Sequence, residues 1–195
     1  MRKLGNKVWN GCKWLLDFSY WVVLAILLDV LIIGAGGLTY YTQFSQDAQE
    51  QKIRDIYQQI IIATGQSQDA LPLVIDESPI ENAYNDGTKV VIYRGLINHT
   101  RTWDEIAMVL GHEVAHGMLW HLKMPLVELT DDEVSVLEAN ADKMGAFYMI
   151  KAGYNICEGR QLFKYWKEQN GNALGQNHPD YSYRYDELNV GCSKE

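Results

Sequence analysis

Basic side chains are in short supply: 17 lysine and arginine residues against 25 aspartate and glutamate leave a formal charge of −8 over 195 residues. No basic patch stands out, and without one the chain lacks the electrostatic footprint of a nucleic-acid-binding protein. The acidic balance reflects solubility and carries no information about a substrate. Cysteine is scarce as well, at three residues, too few for a scaffold built on disulfides. No repeat or low-complexity tract appears, which excludes a solenoid. Long apolar runs are limited to one, from Phe18 to Tyr41.

That run is long enough to cross a hydrocarbon layer of roughly 30 Å as a helix. Trp14, Tyr20, Trp21, Tyr40 and Tyr41 stand near its ends, where aromatic residues favour the membrane interface. Arg2, Lys3, Lys7 and Lys13 precede it, and Asp47 and Glu50 follow, so the basic flank is expected to stay in the cytoplasm while the remainder is exported. Asp29 interrupts the run, either as a contact for a partner helix or as a tolerated polar residue. This pattern predicts a basic cytoplasmic N-terminus over 1–17, a transmembrane anchor over 18–41 and an extracytoplasmic domain over 43–195. Cleavage of a signal peptide near Gly34-Ala35-Gly36 is the alternative, but the run exceeds the usual 7 to 15 residue core and continues past that point. Cys12 precedes the span, whereas Cys157 and Cys192 fall in the exported part. The compartments therefore predict a Cys157–Cys192 disulfide and one thiol inside.

In the domain, Ile53, Ile56, Tyr57, Ile60 and Ile61 recur at helical spacing between Asp47 and Thr64, and Gly65 is placed to close that helix. Leu73 to Ile75 has the character of a short strand. Pro79 to Tyr84 and Lys89 to Tyr93 predict a hairpin about Asn85-Asp86-Gly87, a turn sequence that supplies positive φ. Thr102 with Glu105, and Thr130 with Glu133, have the spacing of capping boxes that open two further helices. On the second of these, Val134, Leu137, Ala141, Met144, Gly145 and Tyr148 form an apolar stripe beside Glu138 and Asp142, and Gly153 ends it.

The first of the two helices carries His112-Glu113-Val114-Ala115-His116. Residues four apart share a helix face, so His112 and His116 can turn two imidazoles to one zinc ion with Glu113 beside them as a base. The extended three-histidine motif would need glycine and histidine where this chain has Leu119 and Leu122, so His121 is set aside and a carboxylate is the better third ligand. Glu138 and Asp142, four apart on the second helix, offer one carboxylate to complete the site and one to brace it. Three protein ligands leave a fourth position open, as in catalytic zinc sites. Hydrolysis of a peptide bond would use Glu113 as general base and then general acid, with His178 or a nearby tyrosine donating to the oxyanion.

Four blocks in order, Asn82-Ala83-Tyr84 with Gly95-Leu96, the His112 to His116 helix, Glu138 to Asp142, and His178-Pro179 with Arg184, resemble the M48 family of zinc metallopeptidases. That family includes membrane-associated quality-control proteases of the HtpX-, Oma1- and Ste24-like kinds. The resemblance covers most of residues 47–190 and implies a mostly helical α+β domain of gluzincin type with a small sheet. It implies one zinc held by His112, His116 and Glu138, catalysis by Glu113, and Asp142 orienting a histidine ligand. It further implies His178 near the substrate oxygen, and Asn82, Ala83 and Tyr84 as the edge that pairs with an extended polypeptide. The chain lacks the several spans of polytopic relatives, so it resembles a compact, single-anchor member. The expected function is a membrane-anchored endopeptidase acting on unfolded or damaged exported or membrane proteins. The alternative is a catalytically silent zinc-containing chaperone or adaptor that binds strands at the same edge, although a structural zinc site has no use for Glu113.

Overall fold

The computed structural model describes residues 45–123, 129–170, 180–189 and 191–192. The apolar run over 18–41 and His178 lie outside these residues. Among the described residues no helix is long and apolar enough to cross a membrane. The chain divides into two compact units, 1–49 and 50–195.

Helix α1 covers 45–64, and from Glu50 onward it belongs to the second unit. Its predicted apolar face is the buried one: Ile53, Ile56, Tyr57, Ile60 and Ile61 are all at most 3% exposed. Gly65 closes the helix at φ 86°, a conformation that glycine enters without a Cβ penalty. Three strands follow, β1 (Leu73–Asp76), β2 (Ala83–Asn85) and β3 (Val90–Tyr93). They form a sheet in the order β1-β3-β2, with β1 parallel and β2 antiparallel to β3. The register Ala83 to Ile92, Tyr84 to Val91 and Asn85 to Val90 makes β2 an edge strand.

The hairpin is shorter than its sequence suggests. Residues 79–82 are not strand, because the carbonyls of Pro79 and Ile80 lie where a Cβ on Gly95 would be, at 2.1 and 2.5 Å. This close approach bends the segment out of the ladder, and strand pairing begins only at Ala83. Tyr93 still donates its amide to the Asn82 carbonyl at 3.0 Å. β3 runs directly into a short helix, α2 (Arg94–His99).

Two long helices carry the site, α3 (Trp103–Met118) and α4 (Asp131–Lys151). Thr130 and Glu133 make both halves of a capping box at α4. At α3 only one half forms in the predicted way: Thr102 accepts the Glu105 amide at 3.2 Å, but the Glu105 carboxylate turns to the Arg101 amide and guanidinium. A buried carboxylate, 1% exposed, gains more from that cation than from the cap amide. The two helices meet glycine to glycine. A Cβ on Gly111 would stand 2.7 Å from the Gly145 carbonyl oxygen, and one on Gly145 would stand 2.6 Å from the His112 amide. The absence of side chains at this crossing brings the backbones together and sets the carboxylates of α4 beside the imidazoles of α3.

Beyond α4 the chain turns at Gly153 and continues through α5 (Ile156–Gly159), α6 (Gln161–Asn170) and α7 (Tyr181–Glu187). Cys157 on α5 is joined by a disulfide to Cys192, just after α7. The core unites α1, the inner faces of β3, α3 and α4, and Leu162 and Phe163 of α6.

Candidate metal centre

His112 and His116 project from one face of α3, and Glu138 reaches them from α4. The two Nε2 atoms are 3.0 Å apart. Glu138 Oε2 is 3.2 Å from the nitrogen of His112, and its Oε1 is 3.3 Å from that of His116. A tetrahedral ion with bonds of about 2.0 to 2.1 Å has ligands separated by about 3.3 Å, so the three sides of this cluster suit such an ion. The donor set, two imidazoles and one carboxylate, is one that zinc accepts while keeping a position open. The predicted ligand residues are therefore together, and their chemistry fits the group.

Each imidazole is held from behind through its Nδ1. For His112 the partner is Asp142, at 2.8 Å, and Asp142 in turn takes two bonds from Arg184, Nε to Oδ2 at 2.7 Å and Nη2 to Oδ1 at 2.6 Å. Arg184 is buried, with its guanidinium 4.2 Å above the Phe163 ring. Burial opposes charge on His112, but the hydrogen bonds it donates to Asp142 and Glu138 outweigh it and raise its pKa to about 10. Burial also opposes the Asp142 carboxylate, yet Arg184 and His112 lower its pKa to about 2. Without metal the pair is imidazolium and carboxylate, and a bound cation must displace a proton from His112. For His116 the partner is His121, whose Nδ1 lies 3.1 Å away. Burial, followed by the neighbouring His116, holds His121 below the ordinary imidazole value, which favours the neutral ring.

Glu113 is half-buried and lines a cleft of about 410 Å³. Asn82 and Ala83 of the sheet edge, Met108 and His112 of α3, and Phe163, Trp166 and Tyr181 opposite line this cleft. Tyr84, the third residue assigned to the edge, is exposed on β2 and does not line the cleft.

Two residues at the centre carry more than sequence reasoning assigned to them. Asn85, placed in the hairpin turn by its neighbours, does accept the Gly87 amide at 2.9 Å, but its Nδ2 also donates to the Glu113 carbonyl at 2.8 Å. It ties the sheet edge to the middle of α3. His121, considered only as a rival ligand, stands behind a ligand instead. Their residue types hint at polar contacts, but both roles depend on tertiary approach that periodicity does not encode.

A helix bearing His-Glu-x-x-His, faced by a glutamate from a second helix, is the arrangement of the HExxH metallopeptidase class. Residues 47–130 match the model of peptidase family M48. The mitochondrial metalloendopeptidase OMA1 of Arabidopsis thaliana is 29% identical over 131 residues, a stretch that covers 53% of this chain and 27% of that relative. Over these residues the chain is similar to peptidase family M48.

Proposed function

We infer that the chain is a zinc-dependent endopeptidase whose ion is held by His112, His116 and Glu138. The observation that carries this reading is the juxtaposition of that cluster with Glu113, a carboxylate outside the ligand set that lines the same cleft as His112. Zinc, when bound, supplies Lewis acidity toward water and the scissile carbonyl. Glu113 takes the proton of the attacking water and delivers it to the departing amine, one carboxyl group serving as base and then acid. Asn85 keeps Glu113 in register through its backbone carbonyl. An extended substrate lies along the edge at Asn82 and Ala83, with backbone pairing supplying affinity and the apolar wall at Phe163 and Trp166 receiving a side chain. Endopeptidase action is also what the name of the Arabidopsis relative states. His178 remains the proposed oxyanion donor, on the M48 resemblance of its His-Pro block.

The membrane reading belongs to the same proposal: residues 18–41 anchor the chain, the N-terminus stays in the cytoplasm, and the enzyme meets unfolded or damaged exported or membrane proteins outside. The basic flank and the single apolar run support it. Protease added to spheroplasts, or to the equivalent cell preparation, is expected to digest the domain; protection until lysis contradicts this orientation.

Casein cleavage by the full chain tests the activity. Wild type should cleave and lose activity to a chelator, and Glu113→Gln should be slower by about 100- to 10,000-fold with zinc retained. Equal cleavage by Glu113→Gln contradicts the base assignment. Absence of cleavage by a zinc-loaded wild type favours the silent adaptor.

A further inference from the structure

Helices that must turn their chain sharply at the C-terminus commonly place glycine at the first residue beyond the cap, because only glycine enters the left-handed region without a Cβ penalty. At the end of α3 that position is Trp120, with φ 62°, and among the described residues it is the one non-glycine with positive φ. Its side chain is 62% exposed, so burial of the indole does not set the conformation. A bulky residue stays in such a conformation where the surrounding structure over-determines it.

What the turn achieves is the placement of His121. The chain doubles back into a single 3₁₀ turn (His121–Lys123), and the His121 ring, 6% exposed, comes to rest under the last turn of α3. Its centroid lies 5.2 Å from that of His116 with the planes at 68°, and the two Nδ1 atoms are 3.1 Å apart. Nε2 of His116 meanwhile faces His112 and Glu138. An imidazole can offer a metal its Nε2 lone pair only if its proton sits on Nδ1, and the partner of Nδ1 decides that tautomer.

We propose that His121 is a positioning residue for His116: its Nδ1 accepts the Nδ1–H of His116 and so fixes both the tautomer and the ring orientation that present Nε2 to the metal. The proposal rests on the assignment of His112, His116 and Glu138 as ligands. It makes the site asymmetric, with an anionic acceptor behind one imidazole and a neutral imidazole behind the other. The left-handed turn at Trp120 is the backbone feature that brings this neutral acceptor within reach.

The test uses the full chain as wild type, His121→Phe, His121→Ala and His121→Asn. Phenylalanine keeps a ring without an acceptor, and asparagine restores an acceptor near the position of Nδ1. Two quantities are read: the zinc dissociation constant, by competition with a chromophoric chelator, and the visible absorption of the cobalt(II)-substituted protein. The phenylalanine and alanine variants should bind zinc about 10- to 100-fold more weakly, with altered cobalt bands, and asparagine should return both toward wild type. Wild-type affinity and spectrum in His121→Phe overturn the proposal, as does an asparagine variant no better than alanine, a contrast that stands even if the phenylalanine variant fails to fold. A wild type that takes up no stoichiometric zinc overturns the ligand assignment itself, and this result is distinct from the other two.

Discussion

The two imidazoles of the centre are supported in opposite ways. Behind His112 stands a buried chain of charges, Asp142 and then Arg184, assembled from α4 and α7. Behind His116 stands one neutral ring, His121, delivered by a tight turn within five residues of the ligand itself. The first support is long-range and electrostatic; the second is local and depends on backbone conformation. Stability should therefore depend mostly on the first, while the second acts mainly on the metal.

Removing the anion breaks the first support most severely. Asp142→Ala strands the Arg184 guanidinium in the interior and should cost about 3 to 5 kcal/mol of unfolding free energy, with zinc affinity falling as well. Urea titration of the metal-free chain measures it, and a loss as small as that of His121→Asn would erase the contrast. The disulfide belongs to the same side, because Cys192 follows α7 and its partner Cys157 lies on α5, a sequence separation of 35. Cys157→Ser should cost about 3 to 4 kcal/mol on the chain-entropy account of loop closure. The same titration, with and without reductant on wild type, checks it.

Acidity sharpens the comparison, because His112 with its anionic partner and the neutral His121 lose their stabilisation at opposite ends of the pH range. His112, raised from 6.5 to about 10, contributes stability that is full below pH 6.5 and lost as the pH rises through 10. His121, held below 6.5, contributes stability that is full above that value and lost as the pH falls through its lowered pKa. Asp142, lowered from 3.8 to about 2, adds a second acid loss, on the order of 2 kcal/mol, between pH 4 and 2. Metal-free chain unfolded in urea across pH 2 to 10 should thus weaken in both directions. His121→Asn should abolish only the part just below pH 6.5. Zinc-loaded protein should gain stability over the alkaline limb instead, since its ligands bind deprotonated. The smallest effect is at Asn85, which touches neither support: Asn85→Ala should cost about 1 to 2 kcal/mol by stripping a donor from the Glu113 carbonyl. It should lower casein turnover while leaving zinc affinity intact.

How far these supports could be read from the sequence follows from their range. α1, α3 and α4 announce themselves through spacing and caps, and Glu138 and Asp142 fall on one face of α4 by their own separation. Compartment logic pairs Cys157 with Cys192, and the two are joined. Arg184 could be named as a block residue, but its bond to Asp142 required α7 to fold back against α4. The sequence pattern carries the hairpin back to Pro79 because the approach of Pro79 to Gly95 is a tertiary event, and the six residues of α2 give too little periodicity to mark a helix. The position of His121 is the least legible, since it depends on a left-handed Trp120 where nothing in the residue type signals a turn. The same holds for Asn85, whose turn chemistry concealed its second contact.

The central claim is that one zinc sits between His112, His116 and Glu138. Elemental analysis of the purified full chain tests it most directly. The account predicts one zinc per chain in wild type and little or none in His112→Ala or Glu138→Ala at matched folding; no stoichiometric metal in wild type, or undiminished metal in His112→Ala, would contradict it.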